Sequence, residues 1–334
     1  MCAVVLGTLA LAVGGNSAGK PDGRIAFARD VGQQSELFGV APAGTGLRRL
    51  TRNRVEDTDP KWSPEGRRLL SSGSSGLVIR DARGKVLRRL PRTFGMEPRW
   101  SPDGRRIAYL VSQCDDPNER GDPICADLWI VNSDGTGRRR LVKANVDTTQ
   151  DTYGRYAWAP DGRRLVYAAF EPTALVLVNV ADGAKRTLRG TRRVGARRPD
   201  WSPDGRRIAF LRQRAPFGGS DIYVVSPDGT GLRRLVRTRG DLQTPTWSPD
   251  GRSIAYFRLI DDTPGEEKRA VVVADADGRR PRRLGVTHTW EFLDWSPDST
   301  GVLWVNFFDV FAGRADGSGK PWLVAKDGDT PDWG

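Results

Sequence analysis

The residues able to do chemistry in this 334-residue chain are few: one imidazole, His288, three cysteines, Cys2, Cys114 and Cys125, and a scatter of carboxylates. A single His excludes any mechanism or metal site that needs two imidazoles and leaves one candidate for a Ser/His/Asp arrangement. Most hydrolase and zinc-enzyme classes fall away. Cys114 and Cys125 bracket QCDDPNERGDPIC, a polar stretch rich in turn formers. In an oxidising compartment this reads as one local disulfide closing a surface loop, the alternative being two unpaired thiols.

Acidic residues concentrate in irregular segments: Glu56, Asp57, Asp59, Asp115, Asp116, Glu119, Asp122, Asp147, Asp151, Asp261, Asp262, Glu266, Glu267, Glu291 and Asp329. No carboxylate pair stands out as an acid/base couple. No catalytic residue, metal ligand or cofactor is therefore assigned, with a divalent cation such as calcium on oxygen ligands as the alternative. Thr287-His288-Thr289-Trp290-Glu291-Phe292 is an aromatic-rich connection, and Tyr153 and Tyr156 flank another. Asp59, Tyr153, Tyr156, His288, Trp290 and Glu291 are the candidate ligand contacts, packing under a loop being the alternative. Two tempting motifs dissolve. Gly317-Ser318-Gly319-Lys320 lacks the earlier Gly of a phosphate loop, and Asp275-Ala-Asp277-Gly278 lacks the downstream Glu of a calcium loop.

What positions these residues is a repeat. W-S-P-D-G-R-R-I-A-Y runs from Trp100 to Tyr109 and recurs, with Phe for Tyr, from Trp201 to Phe210. Variants start at Trp62, Trp158, Trp247 and Trp295; PDGRIAF at Pro21 lacks its Trp, and TPDWG ends on Trp333 without a following turn. The two chain ends thus supply one further unit between them. Beyond a leader, about 45 residues fall to each unit, the length of a propeller blade.

Each unit reads as four strands. Strand a ends at the Trp, and Ser-Pro-Asp-Gly has the preferences of a type I turn. R-R-I-A-Y is strand b, D-I-Y-V-V strand c, and after a second Gly turn L-R-R-L is strand d. Continuous apolar, β-favouring runs in b and c suit sheets buried on both faces. Asp103, Asp161, Asp204 and Asp250 recur because the turn wants them and are structural, like Trp62, Trp100, Trp158, Trp201, Trp247, Trp295 and Trp333. The expected fold is all-β, a seven-bladed β-propeller closed by pairing of the N- and C-terminal segments, with six as the alternative count. Repeats fall at about 21–62, 62–100, 100–158, 158–201, 201–247, 247–295 and 295–333 of a single domain, 21–334.

That strand order puts both Gly turns on one face and the variable b–c and d–a loops, with the acidic residues, on the other. The net charge of +12 is almost wholly arginine, since only eight of the 53 basic residues are Lys. Arg67/Arg68, Arg105/Arg106, Arg163/Arg164 and Arg206/Arg207 follow the a–b turns. They read as a solvated rim, with polyanion binding as the sharper alternative; nucleic acid is not the expected partner. Residues 3–13, AVVLGTLALAV, have signal-peptide length, and the small residues after them suit cleavage after about Ala18, so 1–20 is the predicted leader. The run is too short to span a bilayer, and Cys2 precedes it, where a lipoprotein cysteine would follow. An exported chain, periplasmic, envelope-bound or secreted and with no transmembrane span once mature, is expected.

The W-S-P-D-G-R-R-I-A-Y, D-I-Y-V-V and D-G-T-G-L-R-R-L segments resemble the TolB-type propeller repeat, a cousin of the WD repeat, over about residues 22–333. The resemblance implies an exported protein that binds other envelope proteins; the small α/β domain that precedes the propeller in that family has no room here. Propeller peptidases of the prolyl oligopeptidase type carry an added hydrolase domain, which is not expected here. Oligogalacturonate lyase is similar in outline, but its metal site uses several His. Since propellers host many activities, the expected function is a monomeric, non-enzymatic scaffold binding an envelope protein or glycan through its variable-loop face. The alternative is a glycosidase- or lyase-type enzyme with carboxylates, and possibly a divalent cation, at the channel mouth.

Overall fold

The computed structural model describes residues 23–74, 76–90, 92–93, 95–112, 125–147, 154–170, 173–214, 218–238, 240–263, 267–289 and 292–334. Secondary structure among them is all β. Four-stranded antiparallel sheets recur along the chain, and residues Met96–Thr187 form a larger sheet of two such sets joined at Val146–Ala169. Every strand a ends on a repeat Trp: Thr58–Trp62, Met96–Trp100, Tyr156–Trp158, Ala196–Trp201, Leu242–Trp247, Leu293–Trp295 and Asp329–Trp333. The last of these pairs with Ile25–Val31, the first strand of the described chain, with Ile25 opposite Trp333 and Ala26 opposite Asp332. Arg24 and Gly334 exchange backbone hydrogen bonds beyond that ladder, each 3.0 Å long.

The Ser-Pro-Asp-Gly turns form because each residue satisfies a local donor or acceptor. In Ser101–Gly104 the Gly104 N–H donates to the Ser101 carbonyl, and Asp103 accepts from the Arg105 N–H and the Ser101 hydroxyl. Asp204 and Asp250 repeat both side-chain contacts, while Asp161 accepts from the Arg163 N–H. Gly104 sits at φ 64°, where a side chain is costly. Ser299 holds the equivalent position in the last unit at the same φ of 64°, and its hydroxyl accepts the Asp250 N–H of the preceding unit. That cross-unit bond explains the substitution.

Strands b and c are buried on both faces, and the cores lie between units. Val166, Leu175 and Leu177 of one unit pack with Trp201, Ile208 and Phe210 of the next. An acid at the head of strand c is buried and paired with an arginine of strand d in three units: Glu36–Arg49, Asp127–Arg140 and Asp221–Arg234. Burial alone would raise the Glu36 carboxyl, but Thr51, Arg49 and the Asn53 N–H bind it and hold it below its ordinary value.

The arginines join the units. In each pair after an a–b turn the first residue is exposed, while the second turns onto the next unit's tryptophan. Arg68 lies 4.7 Å over Trp100, Arg106 5.7 Å over Trp158, Arg164 5.2 Å over Trp201 and Arg207 4.5 Å over Trp247. Arg68 and Arg106 also donate to the Gly104 and Gly162 carbonyls, and Arg207 to that of Ala276. Strand-d arginines do the same at the outer edge, Arg48 to Ala82, Arg88 to Asp134 and Arg186 to Asp228. A flat guanidinium with several donors can stack on an indole and bond a carbonyl at once, which an ammonium does poorly. The surplus of Arg over Lys therefore has a structural cause, and the second residue of each pair is not the simple solvated rim that the spacing suggests.

Candidate functional site

A cavity of about 180 Å³ is lined by residues from six of the seven strand-a segments and by Gly154, just ahead of the remaining one. Its geometry follows from an x-Pro step. Proline stands two residues before the Trp at Pro60, Pro98, Pro199, Pro245 and Pro331, and it has no N–H for the ladder. The residue before each is left-handed: Asp59 at φ 48°, Glu97 at 50°, Arg198 at 47°, Thr244 at 52° and Thr330 at 48°. The register shifts at all five of these steps. Such bulges re-aim side chains, so the positions one and three before the Trp reach the cavity.

One residue before the Trp the units carry Lys61, Arg99, Ala157, Asp200, Thr246, Asp294 and Asp332, all but Ala157 lining the cavity. The three carboxylates among them reach the next unit: Asp200 accepts the Trp247 N–H at 2.7 Å, Asp294 the Trp333 N–H at 2.8 Å and Asp332 the Trp62 N–H at 2.7 Å. Where this position is Lys61, Arg99 or Thr246, the next indole instead donates to its carbonyl: Trp100 to Lys61, Trp158 to Arg99, Trp295 to Thr246. The two links are alternatives. Trp62 and Trp247, held by their backbones, leave their indole nitrogens unbonded, as does Trp201 beside Ala157.

Enclosure pushes the Asp200 carboxyl up to about 6, more than the Trp247 N–H and Arg99 pull it down. Asp294 is also pushed up to about 6, by enclosure and then by the neighbouring Asp332 charge, against Lys61. Burial depresses the Lys61 ammonium, but Asp332, 2.9 Å away, and Asp294 outweigh it and hold the group above its ordinary value. One layer up, Glu97 pairs with Arg155 at 2.6 Å and accepts the Gly154 N–H at 2.9 Å. The channel carboxylates thus serve first as links within and between units. Among the described residues no three His, Cys, Asp or Glu side chains group as a metal site requires.

Of the expected contacts, Asp59 lines this cavity and accepts from the Ser72 hydroxyl at 3.1 Å. Tyr156 does not face a ligand: it is fully buried, its hydroxyl donating to the Glu97 carbonyl with that of Ala108 2.9 Å away. Strand a puts it on the side facing the preceding unit. His288 does not line the channel; its Nδ1 is 3.1 Å from the Asn306 amide oxygen and its ring stacks on Phe307. Tyr153, Trp290, Glu291 and Cys114 lie outside the described residues, and Cys125 opens a buried strand c. Sequence reasoning missed Lys61, Glu97, Arg99, Arg198, Asp200, Asp294 and Asp332. Their signal was their fixed offset, one or three residues before each Trp.

Four-stranded antiparallel units whose first strands ring a polar channel define a β-propeller-type protein. Residues 127–264 match the family model described as the TolB beta propeller domain. An uncharacterised protein of Agrobacterium fabrum is 27% identical over 263 residues, 75% of this chain and 85% of that protein. TolB from Acinetobacter baumannii superposes with a TM-score of 0.59 at 16% identity, over 94% of this chain and 67% of that one. An oligogalacturonate lyase in complex with manganese gives 0.63 at 16% identity, over 90% and 84%. The chain is thus similar to TolB-like β-propeller proteins, with the family's repeat matched over residues 127–264. The two solved neighbours share its fold, and they differ in function.

Proposed function

We propose that this protein is an exported, non-enzymatic scaffold, a seven-bladed propeller closed by its own chain ends, that binds an envelope protein or glycan through its variable-loop face. The observation that carries this reading is the commitment of Asp200, Asp294 and Asp332 to backbone N–H groups of neighbouring units, which makes the channel a fastening. Seven sets of four strands, with Asp329–Trp333 paired to Ile25–Val31, support the blade count and closure. The leader at 1–20, a Cys114–Cys125 disulfide, a single domain over 21–334 and a monomeric mature chain belong to the same reading. It needs no cofactor.

A photo-cross-linking residue placed at Asp262 on the loop face, or at Ser318 on the Gly-turn face, tests it in producing cells. Discrete adducts with envelope components from Asp262 alone are expected; adducts from Ser318 alone overturn the reading. A second reading, a glycosidase- or lyase-type enzyme with a divalent cation such as calcium at the channel mouth, is favoured by the raised Asp200 and Asp294, whose charges a cation would relieve.

A further inference from the structure

On the loop face, the hairpin between Gly301–Asn306 and Asp309–Arg314 exposes two adjacent aromatics, Phe307 at 61% and Phe308 at 69%. The corresponding hairpins of the units on either side each expose one apolar side chain, Ile260 and Val31. Phe307 is held at φ 57°, a conformation that bulky residues rarely adopt. Its ring lies 4.9 Å from that of His288, which Asn306 fixes through both its backbone N–H and Nδ1. The single imidazole thus buttresses an exposed phenylalanine.

Phe308 also borders a recess of about 500 Å³. Asp30, Asp59, Asp327 and Asp329 line it against one guanidinium, Arg29. Arg29 is already engaged: it donates to the Asp327 and Lys326 carbonyls and lies 4.9 Å over Phe38. In a chain of net charge +12 this is a local inversion of sign. Asp30, Asp327 and Asp329, the exposed carboxylates of the recess, lose solvation if a neutral ligand covers them, whereas a cationic one compensates them. That favours a Lys- or Arg-bearing peptide over a glycan. An exposed aromatic centre with a charged rim is also how protein-binding sites are built.

We propose that Phe307, Phe308 and the adjoining acidic recess form a docking site for a segment of a partner protein with an apolar anchor next to a Lys or Arg. The anchor packs on the phenylalanines and the cation enters the recess. This rests on the loop-face reading above and names the chemistry it selects.

The test pans a displayed library of random peptides on the full mature chain and measures an enriched, fluorescein-labelled peptide by anisotropy on wild type, F307S/F308S and D327N/D329N. Both phenylalanines are exposed and Asn keeps the acceptor oxygens, so melting curves should confirm that the variants fold. Peptides pairing an aromatic or aliphatic residue with Lys or Arg should be enriched. Affinity should fall about tenfold or more on each double variant, about 1.4 kcal/mol, and should weaken as salt is added. Enriched peptides without a cation, or unchanged affinity on F307S/F308S, overturn this site. So does an absence of enrichment, and so does binding on a glycan array that F307S/F308S abolishes. If Asp262 cross-links persist after any of these outcomes, the loop-face reading survives; if they too are absent, both fail.

Discussion

Replacing Asp200 with Asn should stabilise the protein at neutral pH and do so less and less as the solution is acidified. The Asn side-chain oxygen can still accept the Trp247 N–H that Asp200 binds at 2.7 Å, so the change removes chiefly a charge. Enclosure in the channel lifts the Asp200 carboxyl from 3.8 to about 6. Between those values the native state binds more protons than the unfolded chain, so this group's contribution is most favourable below about pH 4 and is lost as pH rises through 6. Moving from 3.8 to about 6 corresponds to about 3 kcal/mol at most, and the half-buried position of Asp200 lowers this to about 2 kcal/mol between pH 4 and 7.5. Urea unfolding followed by tryptophan fluorescence at several pH values, on wild type and D200N, measures the difference directly. The variant's advantage should grow by about that amount from acid to neutral pH. Parallel stability curves, or a variant that loses ground at pH 7.5, would refute the assignment of Asp200 as an enclosed, poorly compensated charge.

Arg207→Lys, which gives up the stack on Trp247 and the guanidinium bond to the Ala276 carbonyl, should cost about 1 kcal/mol in urea titration, whereas Arg105→Lys at an exposed position should be close to neutral. Asp332→Ala removes both the Trp62 link and the Lys61 pair and should cost about 2 kcal/mol or more, with opening at the chain-end junction visible as faster hydrogen exchange in Ile25–Val31. Calcium, magnesium or manganese should leave the melting temperature of the mature chain unchanged relative to chelator; a clear rise with one of them would favour the channel-enzyme reading.

The repeat was legible because its punctuation is local. Ser101 to Gly104 fold on their own bonds, and a Trp every 38 to 58 residues marks the end of each strand a without any knowledge of neighbours. The channel was less legible because its chemistry is assembled across units. Asp200 is an unremarkable residue before a Trp until Trp247 is brought to its oxygen by the next strand, and a non-Gly left-handed conformation before proline at Asp59 or Glu97 has no simple sequence signature. The arginines were misleading for a related reason: Arg68 and Arg207 look like surface charge in the chain and become staples only when the next Trp stacks beneath them. Tyr156 was chosen for its neighbours in the sequence, but the strand's facing turned it inward. Phe307 and Phe308 carry no signal in the repeat pattern, their exposure being a property of the hairpin.

The most direct test of the loop face as the recognition surface is hydrogen–deuterium exchange across the mature chain, alone and with solubilised envelope proteins. Slowed exchange at residues 30–35, 259–263, 306–309 and 326–330 is predicted, with the Gly turns at 132–137 and 226–231 unaffected. Protection confined to those Gly turns, or to the strands carrying Asp200, Asp294 and Asp332, would contradict the account.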